Sequence, residues 1–175
     1  MVLLRGKNYD IGSQPNSTVN TAAAATATTL VLKNTEGFAN NDYIVLNPGA
    51  ETAEIAQITT VDSDTSLTIS ALKFAHSVDE LVFKTPYNQI SFYESASSDG
   101  TYTIIAGSTK EMEYSELYTE YNDTTGDSDY YFKVVYVNET TAATSDISLS
   151  TYWQISDDIL PITVEQLRII MQFDQ

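Results

Sequence analysis

The segment DYYFKVVYVN, residues 129–138, carries aromatic and β-branched side chains on both faces of an extended chain. Such side chains favour the pleated, half-buried surface of a strand. One face presents Tyr130, Phe132, Val134 and Tyr136, and the other presents Tyr131, Val135 and Val137. A strand that is apolar on both faces lies inside a sheet that is covered on both sides. The segment therefore predicts a central strand of a layered β fold.

The sequence around this segment predicts further strands of the same module. QISFYES (residues 89–95) alternates with a period of two, and an SDG turn (98–100) leads into TYTII (101–105). In this order the region resembles the back half of a fibronectin-type-III sandwich. That fold needs about seven strands in roughly 90–100 residues, whereas residues 87–150 supply four or five. Either the module is truncated, or the preceding module or another subunit supplies the missing strands.

A second module precedes Pro86. Strand patterns recur about every ten residues and are separated by turns such as NPG (47–49) and DSD (62–64); they cover residues 29–33, 42–46, 54–61, 66–70 and 81–84. Short strands at this spacing indicate a small antiparallel barrel or sandwich. We therefore predict an all-β chain with a small β-module at residues 29–86 and a fibronectin-III/Ig-like sandwich at 87–153.

The two ends of the chain differ from these modules. Residues 1–28 contain a turn-forming GSQPNS and a low-complexity TAAAATAT, which predict an extended arm, either free or laid on a neighbouring subunit. Residues 154–175 predict a tail with a short amphipathic helix, capped by Thr163 with Gln166 three residues later. So short a helix must dock, on its own domain or on a neighbour. Its candidate interface residues are Val164, Leu167, Ile170, Met171 and Phe173.

The formal net charge of −16 is the most unusual bulk property. Such a surface repels phosphate groups, so we expect neither nucleic acid nor an anionic membrane as a partner. An acidic surface of this kind can bind a basic protein or cations, or it can simply be exposed to solvent. There is no cysteine, and the N-terminus has only a three-residue apolar run, too short for a signal peptide. We therefore expect a soluble chain made in a cytoplasm.

Few residues could perform catalysis. His76 is the only histidine, and its surroundings, KFAHS, predict a polar loop residue between two strands. No GxSxG elbow and no glycine-rich phosphate loop occurs, so we expect no enzyme and no cofactor. Carboxylates are abundant, and Asp123, Asp127 and Asp129 are calcium candidates because hard oxygen ligands suit that ion. Their spacing departs from the EF-hand loop, and a turn leading into the central strand explains them equally well.

The first module also carries a resemblance, through GFANNDYIVL (37–46), ETAEI (51–55), LTI (67–69) and FAHS (74–77). This order looks like the small β-module of tailed-bacteriophage virion proteins, which is often coupled to a fibronectin-like segment. The resemblance covers about residues 29–150 and implies a non-enzymatic part of the virion. The position that it favours is the head–tail junction, as a neck, connector or collar ring. The alternatives are capsid decoration and an adhesin-like binding module. The implied partners are copies of the chain itself and portal, adaptor, tail or capsid proteins.

Overall fold

The protein, a computed structural model, is described here at residues 2–126 and 129–147, and as backbone only at 152–156. The described part is built entirely from strands, turns and loops, so the all-β prediction is confirmed. It contains a closed barrel and two further sheets.

Six antiparallel strands close the barrel in the order β2-β3-β6-β5-β4-β7. Their bounds are β2 (Asn16–Thr21), β3 (Thr29–Leu32), β4 (Tyr43–Leu46), β5 (Glu54–Ser63), β6 (Ser66–Ile69) and β7 (Leu81–Thr85). Alternate side chains fill the interior, as in β3, where Leu30 and Leu32 are fully buried. Closure removes the free sheet edges that a short open sheet would expose.

The remaining strands form a sandwich of two sheets. Their bounds are β1 (Val2–Lys7), β8 (Gln89–Ser95), β9 (Thr103–Ile104), β10 (Lys110–Glu111), β11 (Tyr118–Asp123), β12 (Tyr131–Val137) and β13 (Tyr152–Ser156). One sheet has the order β11-β1-β13, and the other has β10-β8-β12 with β9 beside β8. The prediction that residues 129–138 form a central strand is therefore wrong: β12 pairs only with β8 among the described strands, and β8 is the central strand. The two sheets face each other, since the rings of Phe92 and Tyr121 stack across them at 5.6 Å.

The prediction of an extended arm at residues 1–28 is wrong, because this range contains the strands β1 and β2 of the folded modules. β1 is the middle strand of a sandwich sheet, and β2 belongs to the barrel. Val2 and Leu4 point into the sandwich core, and Gly6 lets the facing sheet approach closely: a Cβ there would lie 2.5 Å from Ile90 Cδ1. The sandwich that looked incomplete therefore takes a strand from the N-terminal region of the same chain. In chain order, the whole barrel lies between the first two strands of the sandwich.

The barrel and the sandwich share a hydrophobic core. Tyr43, Val45 and Ile55 of the barrel belong to the same buried cluster as Phe92 and Phe132 of the sandwich. The linker between β7 and β8 is also held, because Asn138 Nδ2 donates to Pro86 O at 2.8 Å. A second buried cluster fills the barrel alone. The two modules therefore contact each other through packed side chains as well as through the linker.

The C-terminal prediction is addressed only in part. Tyr152–Ser156 pairs with β1 as a strand, so residues 154–156 belong to the sandwich and not to a tail. The five candidate interface residues of the predicted helix, Val164, Leu167, Ile170, Met171 and Phe173, lie outside the described residues. Within the described part, no helix is long and apolar enough to cross a membrane.

Candidate functional site: the intermodule groove

An open groove of about 700 Å³ lies where the barrel meets the sandwich. We call it the intermodule groove. Residues 7–11 and 114–117 line it from the sandwich side, and residues 48, 49, 81 and 83 line it from the barrel side. Its volume is in the range of roughly 300–1,000 Å³ that is usual for binding sites.

The sandwich wall of the groove is organised by the buried side chain of Asn8. Its Nδ2 donates to the carbonyl oxygens of Glu113 at 2.8 Å and Glu116 at 2.9 Å. Its Oδ1 accepts a hydrogen bond from Thr119 Oγ1 at 2.6 Å, and its backbone N–H donates to Leu117 O at 3.0 Å. The side-chain amide N–H groups therefore hold the loop at residues 113–117, and the side-chain oxygen is bonded to Thr119 at the start of β11. The loop is fixed before any ligand binds.

A turn from the barrel meets that loop directly. Asn47 and Gly49 have φ of 48° and 85°, the left-handed region that Asn and Gly tolerate best, which fits the predicted NPG turn. The N–H of Gly49 donates to Tyr114 O at 2.8 Å and thus joins the two walls. Burial raises the pKa of Tyr114, so its hydroxyl stays protonated and donates to Tyr9 O at 3.1 Å. Hydrogen bonds from both modules therefore hold the backbone around Tyr114.

Apolar side chains are exposed along the groove. Leu117 is 73% exposed and Leu81 is 47% exposed, on opposite walls. Charged residues of both signs, among them Lys7, Asp10 and Glu116, also line it. An apolar surface with a polar surround is typical of protein interaction sites.

Three tyrosines lie beside the groove, around a smaller pocket of about 340 Å³. The ring of Tyr9 meets Tyr87 edge-on at 5.2 Å and Tyr136 at 5.4 Å. Burial and then the neighbouring Tyr9 raise the pKa of Tyr136, whose hydroxyl donates to Lys7 O at 2.9 Å. Much of the ring surface is therefore used in packing the tyrosines against one another.

His76 lies in the loop between β6 and β7, where the sequence placed it, but its side chain is buried and paired, which the sequence did not predict. Its side chain is 0% exposed, with Nε2 at 2.9 Å from Glu54 Oε1 and Nδ1 at 2.7 Å from Glu80 Oε2. Glu54 is buried as well and also accepts hydrogen bonds from the backbone N–H groups of Lys73 and Phe74. This network ties the loop between β6 and β7 to the start of β5.

The protonation of the network follows from these contacts. Burial disfavours the imidazolium, but the hydrogen bonds to Glu54 and Glu80 outweigh it and raise the pKa of His76. Burial likewise opposes ionisation of Glu54, but the hydrogen bonds from His76 and the two backbone N–H groups lower its pKa. Both partners are thus favoured in their charged forms, and we assign the network a structural role.

The three calcium candidates are only partly described. Asp123 ends β11, and its Oδ1 accepts hydrogen bonds from Thr125 N and Thr125 Oγ1, both at 3.0 Å. These hydrogen bonds form a turn, which was the alternative to a calcium site in the interpretation of the sequence. Asp127 lies outside the described residues, and Asp129 precedes β12. Across the residues that the structure covers, no group of three His, Cys, Asp or Glu side chains could hold a metal ion.

Sequence reasoning did not find the intermodule groove. Its sandwich wall alone joins segments about 100 residues apart in the sequence, as the 2.8 Å hydrogen bond from Asn8 Nδ2 to Glu113 O illustrates. The only local signal is Leu117, an aliphatic residue in the otherwise polar and aromatic run EYSELYTE (113–120).

Comparisons with protein-family models, with curated proteins and with solved structures found no match to this chain. The resemblance to phage virion modules therefore stays a prediction that rests on the motifs quoted above.

Proposed function

We propose that this protein is a non-enzymatic structural component of a tailed-phage virion, assembled as a homo-oligomeric ring at the head–tail junction. The observation that carries the proposal is the intermodule groove, a recess with exposed apolar side chains that the two modules form together. Copies of the chain itself and portal, adaptor, tail or capsid proteins are its proposed partners, and the virion is its proposed location.

Three features support an assembly role. The shared core of the barrel and the sandwich gives a building block whose modules are held in contact, which suits a repeated structure. The groove offers exposed apolar side chains as a contact surface, and heterologous contacts between copies generate rings when the rotation closes. The charge of −16 keeps free subunits apart at long range and favours contacts with basic partners.

The test is the copy number of the chain in purified particles, measured by quantitative mass spectrometry against the major capsid protein. A value on the order of a dozen places it in a symmetric ring at the neck. A value in the hundreds identifies capsid decoration instead. Complete absence from the particles contradicts the virion proposal.

An adhesin-like binding module is the second candidate, and the tyrosine cluster beside the groove favours it. Aromatic faces stack on sugars, and Tyr9 and Tyr87 remain partly exposed. Saccharide binding that is lost on Tyr87→Ala and kept on Tyr102→Ala, a tyrosine elsewhere on the sandwich, would support this function. No saccharide binding by the intact chain would rule it out.

A further inference from the structure

We propose that the intermodule groove of one copy receives the amphipathic segment 164–173 of the next copy, so that the chains assemble head to tail. This inference deepens the proposed function and rests on its claim of self-assembly. It names the two surfaces that meet, a preformed groove and an apolar segment of this same chain.

The direction of the chain after β13 is the first argument. β13 runs antiparallel to β1, with Ser156 opposite Val2. The groove begins at the other end of β1, at Lys7. The chain therefore leaves the sandwich at the end farthest from its own groove, and it is heading away from it.

The length of the connection is the second argument. β1 is six residues long, so Ser156 and the near edge of the groove are separated by about 17 Å. Residues 157–163 span at most about 25 Å when fully extended. To enter its own groove, the segment would have to reverse at once and run almost straight back along the sandwich. A neighbouring copy placed beyond Ser156 presents its groove without that reversal.

The chemistry of the segment is the third argument. Val164, Leu167 and Met171 follow the i, i+3, i+7 spacing with which a helix anchors in an apolar groove. A helix of ten residues is about 15 Å long and is unstable alone in water, so it needs such a surface. Leu117 and Leu81 offer one on opposite walls. Because Asn8 fixes the sandwich wall, no loop has to be ordered on binding.

The test uses the full-length chain and measures its mass over a range of concentrations by analytical ultracentrifugation. We expect the wild type to form oligomers, and we expect Leu117→Asp in the groove and Leu167→Asp in the segment each to be monomeric. Ile104→Asp is the control, because Ile104 is an apolar residue on β9 outside the groove, and its 51% exposure lies between those of Leu81 (47%) and Leu117 (73%). It should oligomerise like the wild type. Leu81→Asp tests the second wall, and far-UV circular dichroism checks that each variant folds.

Mixing the two monomeric variants gives the sharpest result. The Leu117→Asp chain retains an intact segment and the Leu167→Asp chain retains an intact groove. Their mixture should therefore stop at a one-to-one dimer, which neither chain forms alone. A dimer of this composition is hard to explain by any other pair of surfaces.

Three outcomes would overturn the inference. Oligomers that persist in both variants would place assembly on another surface and leave the proposed function standing. The wild type could instead be monomeric at all concentrations. If segment 164–173 were then protected from protease in the wild type but not in Leu117→Asp, the segment would dock in the groove of its own chain. Monomers without such protection would leave the groove without this occupant. If the oligomers are lost on Leu117→Asp but the chain is absent from purified virions, this inference stands and only the proposed virion function is contradicted.

Discussion

His76 shows how one residue can join distant parts of the barrel. It lies between β6 and β7, yet its ring bridges Glu54 at the start of β5 and Glu80 in its own loop. Its backbone also pairs with Ala23 after β2. Breaking a buried charge pair by removing one partner costs several kcal/mol, because the other charge is left without compensation.

The charged network predicts a pH window for its contribution to stability. The pKa of His76 is raised, so its contribution to the free energy of unfolding is fully present below the ordinary histidine pKa of 6.5. That contribution is lost as the pH rises through the raised pKa. The pKa of Glu54 is lowered, so its contribution to the free energy of unfolding is present above the ordinary glutamate pKa of 4.5. That contribution is lost as the pH falls through the lowered pKa. We expect His76→Gln to cost about 3 kcal/mol of unfolding free energy near pH 6 and less at about pH 9. Urea unfolding at both values measures it.

The control for this prediction is Asp79→Asn in the same loop. Asp79 pairs with Lys33 on the surface, where its side chain is 70% exposed, so its loss should cost about 1 kcal/mol or less. A His76→Gln effect that is the same at both pH values would show that the network does not depend on a charged imidazole.

Gly6 permits the close approach of the two sandwich sheets. We expect Gly6→Ala to cost about 1–3 kcal/mol, because the added methyl group would overlap Ile90 Cδ1 at 2.5 Å. The double variant Gly6→Ala/Ile90→Val lacks that atom and should be destabilised by less than the sum of the two single changes. Thermal unfolding of the four proteins gives the coupling energy, and strict additivity would contradict the contact.

At the scale of elements, β1 joins two strands that lie far from it in the sequence. It pairs with β11, more than 100 residues away, in the register Val2↔Asp123 to Lys7↔Tyr118. On its other side it pairs with β13. A strand that was expected to be an arm is thus the centre of a sheet, and the sandwich depends on it.

The two faces of β1 can be distinguished by substitution. Leu4 is 1% exposed and lies in the sandwich core, whereas Leu3 points to the other face and is only partly buried. We expect Leu4→Ala to cost about 3 kcal/mol and Leu3→Ala about 1 kcal/mol or less. Chemical denaturation measures both. Equal and small losses would be the behaviour of an arm and would contradict the pairing.

At the scale of the whole molecule, the core shared by the two modules predicts that they unfold together. Leu32 lies in the cluster that fills the barrel alone, and the single tryptophan, Trp153, lies in β13 of the sandwich. We expect Leu32→Ala, costing about 3 kcal/mol, to lower the midpoint seen by tryptophan fluorescence as much as the midpoint seen by circular dichroism. A fluorescence midpoint that does not move would show that the modules unfold independently.

The sequence by itself determined the fold class, most of the strands and the turns between them. Alternation in QISFYES and the apolar side chains of DYYFKVVYVN are local properties that predicted strands, and the residues of the NPG turn predicted a turn whose φ values agree. The inference that the second segment is a central strand failed, because it depends on how many strands pair with β12 and only β8 does among those described. A strand is recognised from its own side chains, but its partner is not, because any extended segment can satisfy the hydrogen bonds of another. Only the tertiary structure therefore decided that Val2–Lys7 completes the sandwich.

The same reason applies to the site. The burial of His76 depends on Glu54 and Ala23, and the intermodule groove depends on Asn8 meeting the loop at residues 113–117. Composition and periodicity do not predict these contacts, because the contacts form only when segments that are distant in the sequence pack into one core. What the sequence determined was which segments form strands. What the tertiary structure decided was which of them touch, since burial and long-range hydrogen bonds are properties of the folded chain as a whole.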